Sequence, residues 1–415
     1  MESPTVRRLT GTLLGVQSLS SLALTAAITV STIAANQLSG NPTLAGLPNT
    51  LLLLGAAFVA YPAGRFMDRF GRRRGLTLGF LFSLAGAATA VASLVVGRFE
   101  LQLAGFALLG LGRGALDLGR FAAAEMAPAE GRARAVSWVV LGGTVGGVGG
   151  PLVISPMSRL AVQFGLDPLA GPYLAAGVLY LIGSLMVFVL LRPDPLELGR
   201  RLAQSSTAEA SRVSDGPVRS FGEILRQPRA QVAVAAMIFA QFIMVAVMTI
   251  TPLHMVSHNH DLAAVAWVIA AHVLGMYGLS VVAGRTADRH GRGAAIIIGA
   301  LLLTGACLLA PFVQSVFLLA VALFTLGLGW NFCYVAGSSL LADVLRPAER
   351  GRVQGSNDLL VSLTAASGSL GSGLLFGTIG YLAIAMIGIG LALALLALTT
   401  VLERPRLAQA GSSMD

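Results

Sequence analysis

Apolar stretches long enough to cross a hydrocarbon layer as helices follow one another along nearly the whole of this 415-residue chain. A helix rises about 1.5 Å per residue, so about 20 apolar residues span a bilayer. Cut by charge, Pro and Gly clusters, the sequence offers twelve such runs, near 10–36, 49–66, 75–97, 101–126, 135–158, 171–191, 230–256, 262–285, 294–312, 316–343, 355–378 and 380–401. The expected fold is an all-α integral membrane protein of twelve transmembrane helices, with the lipid bilayer as its surroundings. Only 11% of the residues are charged, against roughly 25% in soluble domains.

The net charge of +9 does not point to nucleic acid. Every one of the 28 basic residues is arginine, and nearly all of them fall in alternate connections between the runs. Arg7 and Arg8, Arg65 to Arg74, Arg132 and Arg134, Arg192 to Arg229, Arg285 to Arg292, Arg346 to Arg352, and Arg404 and Arg406 share one side by helix counting. The opposite connections carry Arg98 and Arg159. An excess of basic residues marks the cytoplasmic side, so both termini are expected there, with the first run as its own insertion signal. Cys307 and Cys333 both lie inside runs, which argues against a disulfide framework and suits buried thiols.

The chain repeats itself. Gly64-Arg65-Phe66-Met67-Asp68-Arg69-Phe70-Gly71-Arg72 follows the second run, and Gly284-Arg285-Thr286-Ala287-Asp288-Arg289-His290-Gly291-Arg292 follows the eighth, a shift of 220 residues. Pro128-Ala129-Glu130-Gly131-Arg132 recurs at almost the same offset as Pro347-Ala348-Glu349-Arg350-Gly351-Arg352. Two echoes at one offset mean an internal duplication. The halves are 1–191 and 230–415, joined by a polar linker over 192–229 rich in Ser, Arg and Pro. Within the linker, Phe221 to Arg226 suits either a short surface helix or an unstructured tether.

The doubled G-R-x-x-D-R-x-G-R loop resembles the signature loop of the major facilitator superfamily, and the resemblance covers the whole chain. It implies two pseudo-symmetric six-helix bundles around a central substrate site, working by alternating access. Asp68 and Asp288, with Arg69, Arg72, Arg289 and Arg292 and the glycines Gly64, Gly71, Gly284 and Gly291, would then form gating loops. A carboxylate there can meet a helix N-terminus or an arginine. Anchoring of topology is a second role open to the same arginines.

Soft metal ligands punctuate the seventh and eighth runs. Met244 and Met248 are spaced i, i+4, as are His272 and Met276, so each pair shares a helix face. Thioether and imidazole suit copper, which makes copper a candidate substrate. At about 100° per residue, Met237, Gln241, Met244, Met248 and Met255 fall in one narrow arc, a stripe that serves either as plastic packing or as a path. His272 sits near the bilayer midplane, where an ionisable group is costly. It is therefore a functional candidate or a neutral ring bonded to a neighbouring helix. Between the two runs, His254, Met255, His258 and His260 could capture metal, or the imidazoles could be solvated loop residues or pH sensors.

Within the superfamily, Met-x-x-x-Met followed by His-x-x-x-Met is similar to the CcoA-like bacterial copper importers. That resemblance implies Met244, Met248, His272 and Met276 as the copper path, with the copper supplied to cytochrome oxidase assembly. Intramembrane cysteines are implicated in that family, and a related branch resembles riboflavin carriers.

In the fourth run Arg113, Asp117 and Arg120 lie at i, i+4 and i+7, with Glu125 near the end. A charge at a helix centre costs roughly 2.5–3.5 kcal/mol on insertion scales, so pairing is expected. Arg113 and Asp117 are candidates for proton coupling; a structural intrahelical pair is the alternative, favoured for Arg120 and Glu125. In the fifth run Gly142, Gly146, Gly150 and Pro151 make a small-residue face and partly resemble the antiporter motif of drug exporters, but Ile154 and Ser155 stand where that pattern has glycines.

With no nucleotide-binding P-loop, nucleophile elbow or zinc-protease motif, the sequence reads as a non-enzymatic secondary transporter. The reading is an importer of copper across the bacterial inner membrane, with no cofactor, no nucleic-acid partner and a monomeric state. The alternative is a proton-coupled carrier of a small organic molecule such as a drug or a flavin.

Overall fold

The computed structural model describes residues 4–126, 132–199, 219–312, 315–346 and 349–411, and almost all of them are helical. In chain order the helices are α1 (Pro4–Ser39), α2 (Leu47–Phe70), α3 (Arg72–Val96), α4 (Phe99–Leu116), α5 (Gly119–Glu125), α6 (Arg132–Leu152), α7 (Ile154–Gln163), α8 (Ala170–Leu190) and α9 (195–199). They continue with α10 (Phe221–Leu225), α11 (Pro228–Ser257), α12 (Leu262–Tyr277), α13 (Ser280–His290), α14 (Arg292–Leu309), α15 (Val316–Val344), α16 (Arg350–Thr378) and α17 (Tyr381–Gly411).

Among the described residues, ten helical segments are long and apolar enough to cross a membrane, and a bent pair, Leu141–Leu152 with Ile154–Gln163, makes an eleventh. That pair turns by 47° just after Pro151, whose ring and missing N–H interrupt the helical ladder. The expected fourth run, 101–126, is divided at Asp117 and Leu118 into α4 and α5. Its charges cluster at that break, and neither α4 nor α5 counts among the apolar spans. Large apolar side chains stay exposed along several helices, among them Phe188, Leu301 and Phe317. Water would penalise such a surface and acyl chains do not.

The chain divides into two compact units, Met1–Ser211 with His260–Ala266, and Arg212–Asn259 with Trp267–Asp415. Inside the first, α1 packs on α6 and α8, α3 on α4 and α8, and α2 on α4. Inside the second, α11 packs on α16 and α17, α14 on α15 and α17, and α13 on α15. Each of these five neighbour relations in one unit has its counterpart in the other, so the duplication read from the loops extends to the packing.

Small residues set how closely these helices approach. A Cβ on Gly142, Gly146 or Gly150 would strike the backbone carbonyls of Leu14, Ser18 and Leu22 in α1. The stripe on α6 is thus a contact seam with α1, and close packing accounts for it. Cys333 lies against Gly299 and Cys307 against Gly388, both thiols buried in separate helix seams. In the linker, α10 is capped by Ser220 and Glu223, each side chain bonding the other's backbone N–H. The repeated Pro-Ala-Glu motif lies partly outside the described residues, at 128–131 and 347–348.

Candidate functional site

Both signature loops fold alike. Each breaks its helix at a glycine with positive φ, Gly71 at 97° and Gly291 at 92°, a backbone conformation that favours glycine. In the first loop Arg72 pairs with Asp68 at 2.8 Å, and its Nε donates to Glu125 at 3.0 Å. In the second, Arg292 pairs with Asp288 and reaches Asp343 at 3.5 Å. The arginine after each glycine therefore ties a loop carboxylate to an acid at the end of the fourth or tenth expected run. Glu125 is engaged across to α3 through Arg72. Gly64 and Gly284 lie within helices, Arg69 stacks on Phe70 with 5.1 Å to the ring centre, and Arg289 is exposed. Arg113 and Asp117 form the expected i, i+4 pair at 3.7 Å, with both side chains partly open.

In the second unit α11, α12 and α15 carry the metal-ligand candidates. α11 and α15 run antiparallel: Gly337 lies against Met237, and four residues further along α11 the indole N–H of Trp330 donates to Gln241 Oε1 at 2.8 Å. Seven residues on from this bond lie Met248 in α11 and Leu323 in α15. At about 1.5 Å per residue they are level, and seven residues return each helix to nearly the same face. Met244 is level with Gly327 by the same rule.

Leu323 and Gly327 are also where α12 meets α15. Gly275 and Gly327 bring the two backbones together; a Cβ on Gly327 would strike the His272 carbonyl. His272 is fully buried, and its Nδ1 lies 2.9 Å from the Leu323 carbonyl oxygen. A carbonyl only accepts, so this bond places the ring proton on Nδ1 and leaves Nε2 with a lone pair. That Nε2 is buried and has no hydrogen-bond partner. Met276, one turn along, is buried, and its carbonyl accepts from Asn331 Nδ2.

On α15, the residues facing α11 (Trp330, Gly337) and those facing α12 (Phe324, Gly327, Leu328, Asn331) are separated by roughly a third of a turn at about 100° per residue. Met244 and Met248 on one side and His272 and Met276 on the other thus approach neighbouring faces of one helix at one depth. Met244 is buried and Met248 half-buried. Met237 is set apart, its sulfur receiving Asn357 Nδ2 at 3.5 Å, and Gln241 is held by Trp330. Among the described residues no three His, Cys, Asp or Glu side chains gather as a metal site.

The loop histidines build something different. His254 stacks flat on Tyr381, with centroids 4.4 Å apart and planes 7° apart, and lies 4.3 Å from the His258 ring. They line a cavity of about 360 Å³ with Ser257, Pro311, Phe376 and Tyr381. Met255 is fully buried, and neither it nor the half-buried His260 is among the described residues lining that cavity. The helical turn at 254–258 points Met255 inward, and the cavity lining carries the imidazoles of His254 and His258.

Sequence reasoning passed over an aromatic group beside the methionines. Trp330 stacks on Tyr334, with centroids 4.9 Å apart and planes 21° apart, and meets Tyr277 edge-on at 6.0 Å. One of only three tryptophans, four residues before Tyr334 and so on the same helix face, was the available signal.

The family model of the Major Facilitator Superfamily matches residues 13–263 and 233–414, nearly the whole chain. The chain belongs to the major facilitator superfamily. Relatives of this superfamily extend over most of its length. The uncharacterised MFS-type transporter YdeG of Bacillus subtilis (strain 168) is 35% identical over 88% of this chain and 85% of its own length. The riboflavin transporter RfnT of Brucella anthropi is 32% identical over 85% of each chain. Among solved structures, the D-xylose-proton symporter superposes with a TM-score of 0.73 at 17% identity, covering 93% of this chain and 96% of its own. The nucleoside transporter NupG gives 0.71 at 16% identity, covering 94% and 98%. At such identities these structures establish the major facilitator fold. The protein is a multi-pass membrane transporter.

Proposed function

We propose that the transporter carries copper inward across the bacterial inner membrane, by alternating access and as a monomer with both termini in the cytoplasm. Met244, Met248, His272 and Met276 serve as transient ligands. The observation that carries this reading is the bare Nε2 of His272. A buried polar nitrogen without a partner costs about 1–3 kcal/mol, so its persistence calls for a compensating role. Metal-binding histidines typically give their other ring N–H to a carbonyl, the arrangement His272 has with Leu323. The matched depth of Met248 and Met244 supplies thioethers, which hold Cu(I) without the permanence of a thiolate cage. Arg113 and Asp117 are the coupling pair in this scheme, and His254 with His258 offers the first contact for the incoming ion.

A second reading has its own support. Trp330, Tyr334, Tyr277 and the Gln241 amide make an aromatic, hydrogen-bonding shelf suited to a planar organic cargo, and a riboflavin transporter is among the relatives. Copper and riboflavin uptake are measured in the same cells expressing wild type, Met248→Ala, His272→Ala and Trp330→Ala at matched protein levels. Copper uptake falling by at least about tenfold in the first two variants supports the copper path. Unchanged copper uptake there, with riboflavin uptake lost in Trp330→Ala, establishes the organic carrier instead.

A further inference from the structure

The first unit holds a second cavity, of about 510 Å³, between the signature loop and the chain that leaves α8. Arg69, Arg73, Arg74 and Arg192 line it, with Asp194 and Glu197. Asp194 is already committed: its carboxylate accepts the backbone N–H groups of Arg72, Arg73 and Leu196, closing the start of α3. Among the described residues none of the four arginines pairs with a carboxylate. Arg73 and Arg192 are instead gathered on one ring, 5.2 and 5.5 Å from the centre of Phe188. Stacking fixes the guanidinium planes and leaves their N–H edges free for an anion.

We propose that this cavity binds the phosphate of an anionic phospholipid headgroup. Four unpaired guanidiniums match the charge and the several oxygens of a phosphodiester. The membrane is the source because the cavity adjoins apolar surface. Leu185, Phe188, Val189 and Leu190 of α8 and Leu78, Leu81 and Phe82 of α3 are exposed, so acyl chains have a place beside the headgroup. Basic pockets at the ends of membrane helices favour such lipids. The second signature loop carries Gly293 and Ala294 where the register of 220 residues places Arg73 and Arg74. The paired arginines are therefore not needed to build a signature loop, and they give the first half a site of its own.

The test is native mass spectrometry of the purified full-length protein with phosphatidylglycerol, with phosphatidylcholine, and with inorganic phosphate added in excess. Wild type and Arg73→Gln/Arg192→Gln are compared, with Arg98→Gln, at another connection, as the control. Wild type should retain phosphatidylglycerol over phosphatidylcholine, the double variant should lose that preference on the order of tenfold, and phosphate should not displace the lipid. Equal retention in wild type and double variant overturns the site, and displacement by phosphate overturns the lipid as its ligand. If the double variant does not fold, the exposed Arg74→Gln is read the same way against the same outcomes.

Discussion

His272 has one ring nitrogen bonded to a carbonyl and the other buried without a hydrogen-bond partner. In the copper reading proposed above, His272 serves as a neutral donor atom rather than a proton carrier, which separates it from the charged pairs elsewhere in the chain. The clearest of those is Arg219 with Glu349, where Nε donates at 2.8 Å and Nη2 at 2.7 Å, and the Arg219 backbone N–H adds a third bond. Arg219 and further backbone bonds hold the Glu349 carboxyl down to about 2 from an ordinary value of 4.5. A carboxylate with a depressed folded value contributes its stability above the ordinary value, and loses it as pH falls from 4.5 towards 2. Hydrogen exchange over 219–226 should therefore stay constant from pH 8 to 5.5 and quicken only below 4.5 after correction for the intrinsic rate. Glu349→Gln should show the faster exchange already at pH 7; an unchanged rate there would mean that the ion pair does not hold α10.

Between helices, the two signature glycines give a paired comparison. Both have positive φ, so alanine at either costs about 1–3 kcal/mol of backbone strain. At Gly71 the new Cβ would also run into the Asp194 carboxylate that caps α3, whereas at Gly291 it meets open space. Gly71→Ala should therefore lower the melting temperature in detergent more than Gly291→Ala, and equal losses would contradict the Asp194 contact. The doubled loops, the helical content and the small-residue seam of α6 were all legible in the sequence, because each rests on local spacing. The break between α4 and α5 was partly legible, since Arg113, Asp117, Arg120 and Glu125 flagged the run. The pairing of Glu125 with Arg72 and the stacking of His254 on Tyr381 were not, because they join residues far apart in sequence. For the candidate site, residue types and helix faces could be read directly. The α15 carbonyl that orients His272 and the aromatic shelf around Trp330 required the fold.

At the scale of the whole molecule, two units with matching helix neighbours and matching Arg-centred loops make a duplicated transporter of the major facilitator superfamily. The duplication is incomplete at the two places on which the proposals rest: the arginine cavity belongs to the first half, and the methionine and histidine set to the second. A duplicated scaffold with one-sided chemistry suits a carrier in which one half presents ligands to the cargo. The proposed chemistry, thioether sulfur and one imidazole nitrogen acting together on copper, is open to a single direct measurement. Copper K-edge absorption is recorded on the purified protein loaded with Cu(I), wild type beside His272→Ala. Sulfur scatterers with one nitrogen in wild type, and loss of that nitrogen in the variant, are the predicted result. A copper ion bound without sulfur, or a first shell identical in the two proteins, would contradict it.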